Sequence, residues 1–197
     1  MVLKFRQIKI RAGAFLQSAF NVMKHIQKAR KERNAKLLVV DPYLNRTAKV
    51  ADIHYPIRPG TDGALACSLI HIMFRDGYAD RDYMSKYSDD PIGLEKHVSK
   101  FTPKWASEIT GLSIQMIEDF AKIFGQTKRL YTRLGYGFAR QRNGASAMHA
   151  VVSLSTVCGK WQYEGGGAFY KNADIYKMDK TLIEGLDVLD TNIRMLD

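Results

Sequence analysis

Short apolar runs alternate with amphipathic segments along most of the chain. The clearest run is Leu37–Val40, which is β-branched at its end and typical of a strand buried on both faces of a parallel sheet. Asp41 and Pro42 end this run, because proline cannot continue the hydrogen-bond ladder. Three further strands are predicted, at Lys4–Ile10, Ile53–Ile57 and Arg129–Leu134.

Helical periodicity fills the intervals between these strands. The first predicted helix is capped by Ser18 and places Phe20, Met23, Ile26 and Ala29 on one face. Later helices are predicted from Thr61 or Asp62 to Gly77, over residues 80–100 with a break at Asp90 and Pro91, after Thr102 and Pro103, from Ser113 to Gly125, and over Ala145–Val157.

This alternation predicts an α/β fold with a mainly parallel sheet flanked by helices, in a Rossmann-like three-layer arrangement with a helical insertion. We expect residues 1–170 to form this domain and residues 171–197 to be a poorly specified tail. Within the domain, Gly165–Gly167 is interpreted as a flexible loop.

The positive charge of the chain is concentrated in its first third. Residues 1–60 contain 13 Lys and Arg against 3 Asp and Glu, whereas residues 61–197 contain 17 of each. The densest part, Lys24–Lys36, is the polar side of an amphipathic helix, so a solvated face is the favoured interpretation. A nucleic-acid-binding module is the alternative, but the aromatic residues do not interleave with the basic run, and no nucleic-acid partner is expected.

Composition predicts neither a metal site nor a membrane span. Cys67 and Cys158 lack neighbouring ligands at zinc spacing and are expected to be buried, reduced thiols. No apolar run approaches the roughly 20 residues that a membrane span needs. The basic N-terminus has no long apolar core, so a cytoplasmic location is expected unless a targeting segment precedes it.

Three loops follow predicted strands, at the sheet edge where open parallel sheets bind ligands: Asp41–Thr47, Arg58–Asp62 and Gly135–Arg140. Asp41 is suited to accept from a ribose diol, and Asp62 to accept from the N1–H and amino groups of guanine. Both have a purely structural alternative, since Asp41 precedes proline in a turn and Asp62 can cap a helix. Gly135 and Gly137 lack the third glycine of a dinucleotide fingerprint, so they indicate a turn as readily as a ligand contact.

The stretch LLVVDPYLNRTAKVADIHYPIRPGTDGALACSLIHIMFRDGYADRDYM resembles the bis-molybdopterin guanine dinucleotide oxidoreductases, the superfamily of dimethyl sulfoxide reductase, formate dehydrogenase and periplasmic nitrate reductase. The resemblance continues through FTPKWASEITGLSIQMIEDFAKIF, GYGFARQRNG and LSTVCGKWQYEGGGAF, and covers roughly residues 22–169. The motifs DP, TA, AD, RPGTD, ITG and GYG occur in the family's order, and the combination is specific.

The resemblance implies that these loops bind a molybdopterin guanine dinucleotide, which carries molybdenum in the intact enzyme. The residues that match the family's cofactor loops are Asp41, Pro42, Tyr43, Leu44, Asn45, Gly60, Thr61, Asp62, Leu134, Gly135 and Gly137, with Arg140 assigned to the last loop. No catalytic residue, no metal ligand and no iron–sulfur cluster is expected in this chain.

The sequence also departs from the family pattern. Where the family has Trp-Gly-x-Asn, Arg11–Phe15 reads RAGAF, and the family's metal-ligating region and C-terminal domain have no counterpart in the sequence. We therefore expect a cofactor-binding fragment that is catalytically inactive alone, with the remaining domains or subunits of a parent enzyme as partners and a tendency to self-associate. The alternative is a truncated structural or interaction remnant that binds no cofactor.

Overall fold

Five parallel strands form the centre of the described part of the chain. The computed structural model describes residues 8–12, 20–170, 179, 181–185, 187, 188 and 190. The strands are β1 (Ile8–Ala12), β2 (Lys36–Val40), β3 (Ile53–Tyr55), β4 (Leu130–Leu134) and β5 (Gly167–Phe169). The α-helices are α1 (Phe20–Arg33), α2 (Arg46–Lys49), α3 (Asp62–Arg75), α4 (Arg81–Tyr87), α5 (Pro91–Val98), α6 (Pro103–Thr110), α7 (Ile114–Gln126), α8 (Gly144–Val157) and α9 (Thr181–Glu184), with 3₁₀ turns at Tyr136–Arg140 and Lys160–Gln162.

The strands lie in the order β3-β2-β1-β4-β5, and every neighbouring pair is parallel. β1 therefore lies in the middle, where Ala12 pairs with Val40 of β2 on one side and with Leu134 of β4 on the other. The chain reverses its direction of winding between β1 and β4, which is the position where open α/β sheets form a crevice. The loops that follow β2, β3 and β4 consequently meet at one edge of the sheet.

Helices cover both faces of the sheet, which gives the three-layer arrangement that the sequence predicted. Leu37 and Val39 point to one face and pack with Ile26 of α1 and Ala48 of α2. On the other face lies the larger core, whose buried residues come from β2, β3, β4 and the helices α3, α7 and α8, including Leu38, Val40, Tyr55, Leu65, Leu69, Ile72, Met73, Ile117, Phe124, Leu130, Leu134, Leu154 and Val157. Helices α4, α5 and α6 form the helical insertion between α3 and α7.

Side-chain caps fix several helix starts where the sequence predicted them. Thr102 accepts a hydrogen bond from the Trp105 amide at the start of α6, and Ser113 accepts from the Met116 amide at the start of α7. The predicted break at Asp90 is confirmed, since its carboxylate caps α5 by accepting from the Gly93 amide. These caps each satisfy an amide that has no partner within its own helix.

Three predicted boundaries were wrong. The described part of β1 continues to Ala12 instead of ending at Ile10, because Arg11 and Ala12 pair with both β2 and β4. The predicted start at Lys4 lies outside the described residues. β3 ends at Tyr55 rather than at Ile57. Helix α7 continues past Gly125, where a side chain would overlap the Tyr78 ring, so this glycine serves packing rather than termination.

The interpretation of Gly165–Gly167 as a flexible loop was also wrong, because Gly167 begins β5. Gly167 pairs with Tyr131 of β4, and its φ of 101° is open to glycine with little strain. Ser18, the predicted cap of α1, and most of the predicted tail 171–197 lie outside the described residues. No helix of the described part combines the length and the apolar character needed to cross a bilayer.

Candidate functional site

The loop after β2 is organised around a buried carboxylate. Asp41 is 2% exposed, and its Oδ1 accepts from the Tyr43 amide at 2.9 Å. Its Oδ2 accepts from Asn45 Nδ2 at 2.8 Å. Asn45 Oδ1 in turn accepts from the amides of Thr47 and Ala48 and so begins α2. The Asp41 carboxylate therefore holds the loop in shape and, in this conformation, faces the loop rather than solvent.

The outer side of the same loop presents exposed side chains. Pro42, Tyr43 and Leu44 are all exposed, and Tyr43 reaches 77% exposure. From the neighbouring strand β3, His54 Nε2 donates to the Asp41 carbonyl at 2.8 Å, which requires the proton on Nε2. The loop is thus held from inside the sheet while two large apolar side chains face outward.

The RPGTD turn after β3 is fixed to the helical insertion. The Arg58 guanidinium donates to the carbonyls of Glu108 and Ile109 in the last turn of α6, where a cation is favourable. Gly60 has a φ of 79°, which an L side chain rarely adopts. Thr61 precedes α3, but its hydroxyl donates to the Arg58 carbonyl and does not cap the helix.

Asp62 is the first residue of α3 and is partly buried. Desolvation is the largest cause that raises the pKa of its carboxyl, and repulsion from the nearby Asp41 carboxylate raises that pKa further. A hydrogen bond from Gln141 and its own amide act in the opposite direction. The Gln141 contact is long, with 3.5 Å between Nε2 and Oδ2, so the carboxylate keeps the capacity to accept further hydrogen bonds.

The segment after β4 completes the edge. Leu134 and Gly135 are buried, whereas Gly137 is exposed and a Cβ there would meet nothing within 4 Å. Gly137 therefore offers bare backbone to an approaching ligand. Arg140, at the end of the 3₁₀ turn, is exposed.

Two residues of the next segment, neither of them a candidate from the sequence, reach the RPGTD turn. Gln141 contacts Asp62 as described, and Asn143 Nδ2 donates to the Gly60 carbonyl at 3.1 Å. The sequence feature that could have indicated them is the polar run RQRN (Arg140–Asn143), directly before a predicted helix. Their contacts with the RPGTD turn, however, join residues more than 75 positions apart in the sequence, and only the fold reveals such contacts.

The first turns of two long helices lie close together at this edge. A Cβ on Gly63 of α3 would lie 3.3 Å from the Ala147 Cα of α8, so glycine permits the close approach. The residues preceding these helices, Thr61 and Asn143, make no side-chain cap. Two positive helix ends therefore converge near Asp62, and the carboxylate of Asp62 is a negative charge that this arrangement favours.

A small cavity lies beneath Asp62, between the sheet and helices α3, α7 and α8. Its volume is about 30 Å³, enough for about one or two water molecules but far too small for a nucleotide base. Thr132 lines it, and the Thr132 hydroxyl has no hydrogen-bond partner within the described part of the chain. A base that contacts Asp62 must therefore approach from the outer side of the edge.

The structure thus brings the predicted residues of the first two loops together, with the Asp41 and Asp62 carboxylates close enough to repel each other. It joins the RPGTD turn to Gln141 and Asn143 rather than to Arg140. Among the described residues, no three His, Cys, Asp or Glu side chains form a candidate metal site.

Known proteins resemble most of this chain. The probable oxidoreductase YoaE of Bacillus subtilis (strain 168) is 36% identical over 163 residues, which cover 83% of this chain and 24% of that protein. Dimethyl sulfoxide reductase DmsA of Escherichia coli (strain K12) is 29% identical over 181 residues, covering 79% of this chain and 22% of that protein. The solved structure of acetylene hydratase from Pelobacter acetylenicus has a TM-score of 0.71 at 25% identity, covering 78% of this chain and 21% of that chain.

The parallel sheet with helices on both faces makes this chain an α/β protein, and the family model identifies its family. The molybdopterin oxidoreductase model matches residues 15–193. The chain belongs to the molybdopterin oxidoreductase family, as its ordered motifs predicted, and the α/β fold with a parallel sheet is confirmed. It spans about a quarter or less of the length of the relatives described. The family's name implies a molybdopterin cofactor.

Proposed function

We propose that this chain binds the guanosine and diphosphate part of a molybdopterin guanine dinucleotide at the edge formed by the loops after β2, β3 and β4. The observation that carries the proposal is the Asp62 carboxylate, which is partly buried at a sheet edge with one long hydrogen bond from another side chain. Burying a carboxylate is costly, and donors from a ligand would offset that cost.

Guanine supplies the donors that this carboxylate lacks. Its N1–H and 2-amino groups can both donate to one carboxylate, whereas adenine offers no such pair. The family motif RPGTD contains Asp62, and the turn is fixed by Arg58 and by Asn143, so the carboxylate has a defined position. Asp62 is therefore the residue to which we assign guanine recognition.

The remaining parts of the edge suit a phosphorylated nucleotide. The start of α8 lacks a side-chain cap and favours negative charge, whereas the start of α3 already carries the Asp62 carboxylate. Gly137 leaves room for close approach, and Arg140 adds an exposed positive charge beside it. The loop Asp41–Asn45 would border the ribose, with Asp41 acting by holding the loop and Tyr43 and Leu44 facing the ligand or a neighbouring domain.

When bound, the cofactor supplies redox chemistry at its molybdenum. The residues of this chain would bind and orient the nucleotide end, and we assign them no catalytic step. The activity of a whole enzyme, its electron partner and its further domains or subunits are proposals that follow from relatives such as the F420-dependent formate dehydrogenase subunit alpha of Methanocaldococcus jannaschii.

A thermal-stability measurement with GDP and ADP at matched concentrations tests the proposal. A ligand at about 100 times its Kd stabilises the folded state by roughly 2.7 kcal/mol, which raises Tm by about 5–10 °C for a chain of this size. We expect GDP to raise the Tm of the wild type and ADP to have little effect. Asp62→Asn should lose the GDP effect, and Asp119→Asn, at an exposed position on α7, is the matched control.

Equal stabilisation by GDP and ADP would contradict guanine recognition, and a GDP effect that persists in Asp62→Asn would contradict the assigned residue. If neither nucleotide changes Tm, the chain is better described as a structural domain that binds no nucleotide by itself.

A further inference from the structure

The side chain of Gln141 lies directly beside the proposed guanine-binding carboxylate. Its Nε2 is 3.5 Å from Asp62 Oδ2, and its Oε1 would lie 3.2 Å from a Cβ at position 60. Gly60 therefore leaves space for this amide. Asn143 holds the Gly60 carbonyl at 3.1 Å, so the backbone under the amide is fixed as well.

Together the two side chains present a row of hydrogen-bonding groups. The Asp62 carboxylate offers two acceptors, and the Gln141 amide nitrogen next to it carries two hydrogens, of which the carboxylate uses one. Guanine presents the complementary row along one edge, with an acceptor at O6, a donor at N1–H and a donor at the 2-amino group. Adenine presents a donor where guanine has O6 and an acceptor where guanine has N1–H, so it is mismatched at both positions.

We propose that Gln141 donates to O6 of guanine while Asp62 accepts from N1–H and the 2-amino group, so that the two residues read the whole edge of the base. This inference rests on the proposed guanine site and adds a second specificity-determining residue to it. The alternative is that Gln141 only positions the Asp62 carboxylate and never contacts the base.

Three nucleotides separate the two roles. IDP lacks the 2-amino group but keeps O6, whereas 6-thio-GDP keeps both donors and replaces O6 by sulfur, a weak acceptor. Calorimetric titration of the wild type with GDP should give tighter binding than with either analogue. In Gln141→Leu, GDP affinity should fall about tenfold, the effect of one hydrogen bond, and the preference for GDP over 6-thio-GDP should disappear.

The preference for GDP over IDP should survive in Gln141→Leu, because Asp62 reads the 2-amino group, and should disappear in Asp62→Asn. Gln115→Leu is the matched control, since Gln115 donates to Asp119 in a similar but exposed pair at 3.0 Å. This control should bind all three nucleotides as the wild type does.

Two results would overturn the assignment of Gln141 and leave the guanine site standing. One is a Gln141→Leu variant that keeps its preference for GDP over 6-thio-GDP. The other is a Gln141→Leu variant that loses the preference for GDP over IDP, because that loss would indicate that Gln141 only positions the Asp62 carboxylate. A wild type that does not distinguish GDP from ADP would overturn the proposed guanine site and the role of Gln141 with it.

Discussion

Exchanging the side chains at positions 41 and 45 tests whether the loop after β2 is built on one donor–acceptor pair. Asp41 Oδ2 accepts from Asn45 Nδ2, and Asp41 Oδ1 accepts from the Tyr43 amide. In Asp41→Asn, either orientation of the new amide places its NH₂ group against one of these donors. In Asn45→Asp, the new carboxylate faces the Asp41 carboxylate, because it replaces the amide nitrogen that lies 2.8 Å from Asp41 Oδ2 in the wild type.

The size of the effect follows from burial and charge. Hydrogen bonds to a charged group contribute about 1.5–3 kcal/mol each, and Tyr43 and Asn45 can regain part of this from water at the surface. We therefore expect each single variant to lower the free energy of unfolding by about 2–3 kcal/mol. In the double variant, the amide introduced at position 41 can accept from the Tyr43 amide and donate to the carboxylate introduced at position 45. That carboxylate can still cap α2, so most of the loss should be recovered.

Urea unfolding of the wild type, both single variants and the double variant provides the measurement. The double-mutant cycle should give a favourable coupling of more than about 1.5 kcal/mol. Additive losses in the double variant would refute the pairing and would leave the Asp41 carboxylate available for the direct ribose contact that the sequence suggested.

Three further predictions concern stability. Burial raises the pKa of the Asp62 carboxyl, so the folded chain keeps this proton at pH values where the unfolded chain has lost it, and the stability that the proton contributes is lost as pH rises through the raised pKa. The free energy of unfolding of Asp62→Asn should therefore increase relative to that of the wild type between about pH 4 and pH 7, and a constant difference would contradict this. Burial lowers the pKa of the Lys160 ammonium group, so as pH rises the folded chain releases this proton before the unfolded chain does. The wild type should therefore gain stability relative to Lys160→Met between about pH 8 and pH 10, below the ordinary pKa of lysine, and a flat or falling difference would argue against this. In urea unfolding, Gly60→Ala should destabilise the fold more than Gly77→Ala. Both glycines have a positive φ, which costs alanine about 1–2 kcal/mol of strain, but only a Cβ at position 60 also meets Gln141, so equal losses would show that this contact is unimportant.

The sequence predicted those elements whose signal is local. The run Leu37–Val40 is apolar because both faces of β2 are buried, and the caps at Thr102 and Ser113 act within three residues of themselves. The loop positions followed from the same reasoning, since parallel strands place their following loops at one edge. Asp41 and Asp62 became candidates in this way.

Elements that depend on distant partners were missed. β5 has three residues beginning at Gly167, and only pairing with β4 defines it as a strand. Gly125 lies inside α7, and a side chain there would overlap the Tyr78 ring, a packing contact that local sequence rules for helix ends do not include. Gln141 became a candidate only when the fold placed it beside Asp62.

The most direct test of the nucleotide-binding edge is a titration of the nitrogen-15-labelled chain with GDP, followed by amide chemical shifts. If GDP binds at this edge, the amides of Tyr43–Asn45, Gly60–Asp62 and Gly137–Asn143 should show saturable shifts, and ADP should cause much weaker shifts. Shifts that map instead to the groove between α4 and α8, lined by Tyr87, Asp90 and His149, would contradict nucleotide binding at this edge, as would the absence of any saturable shift.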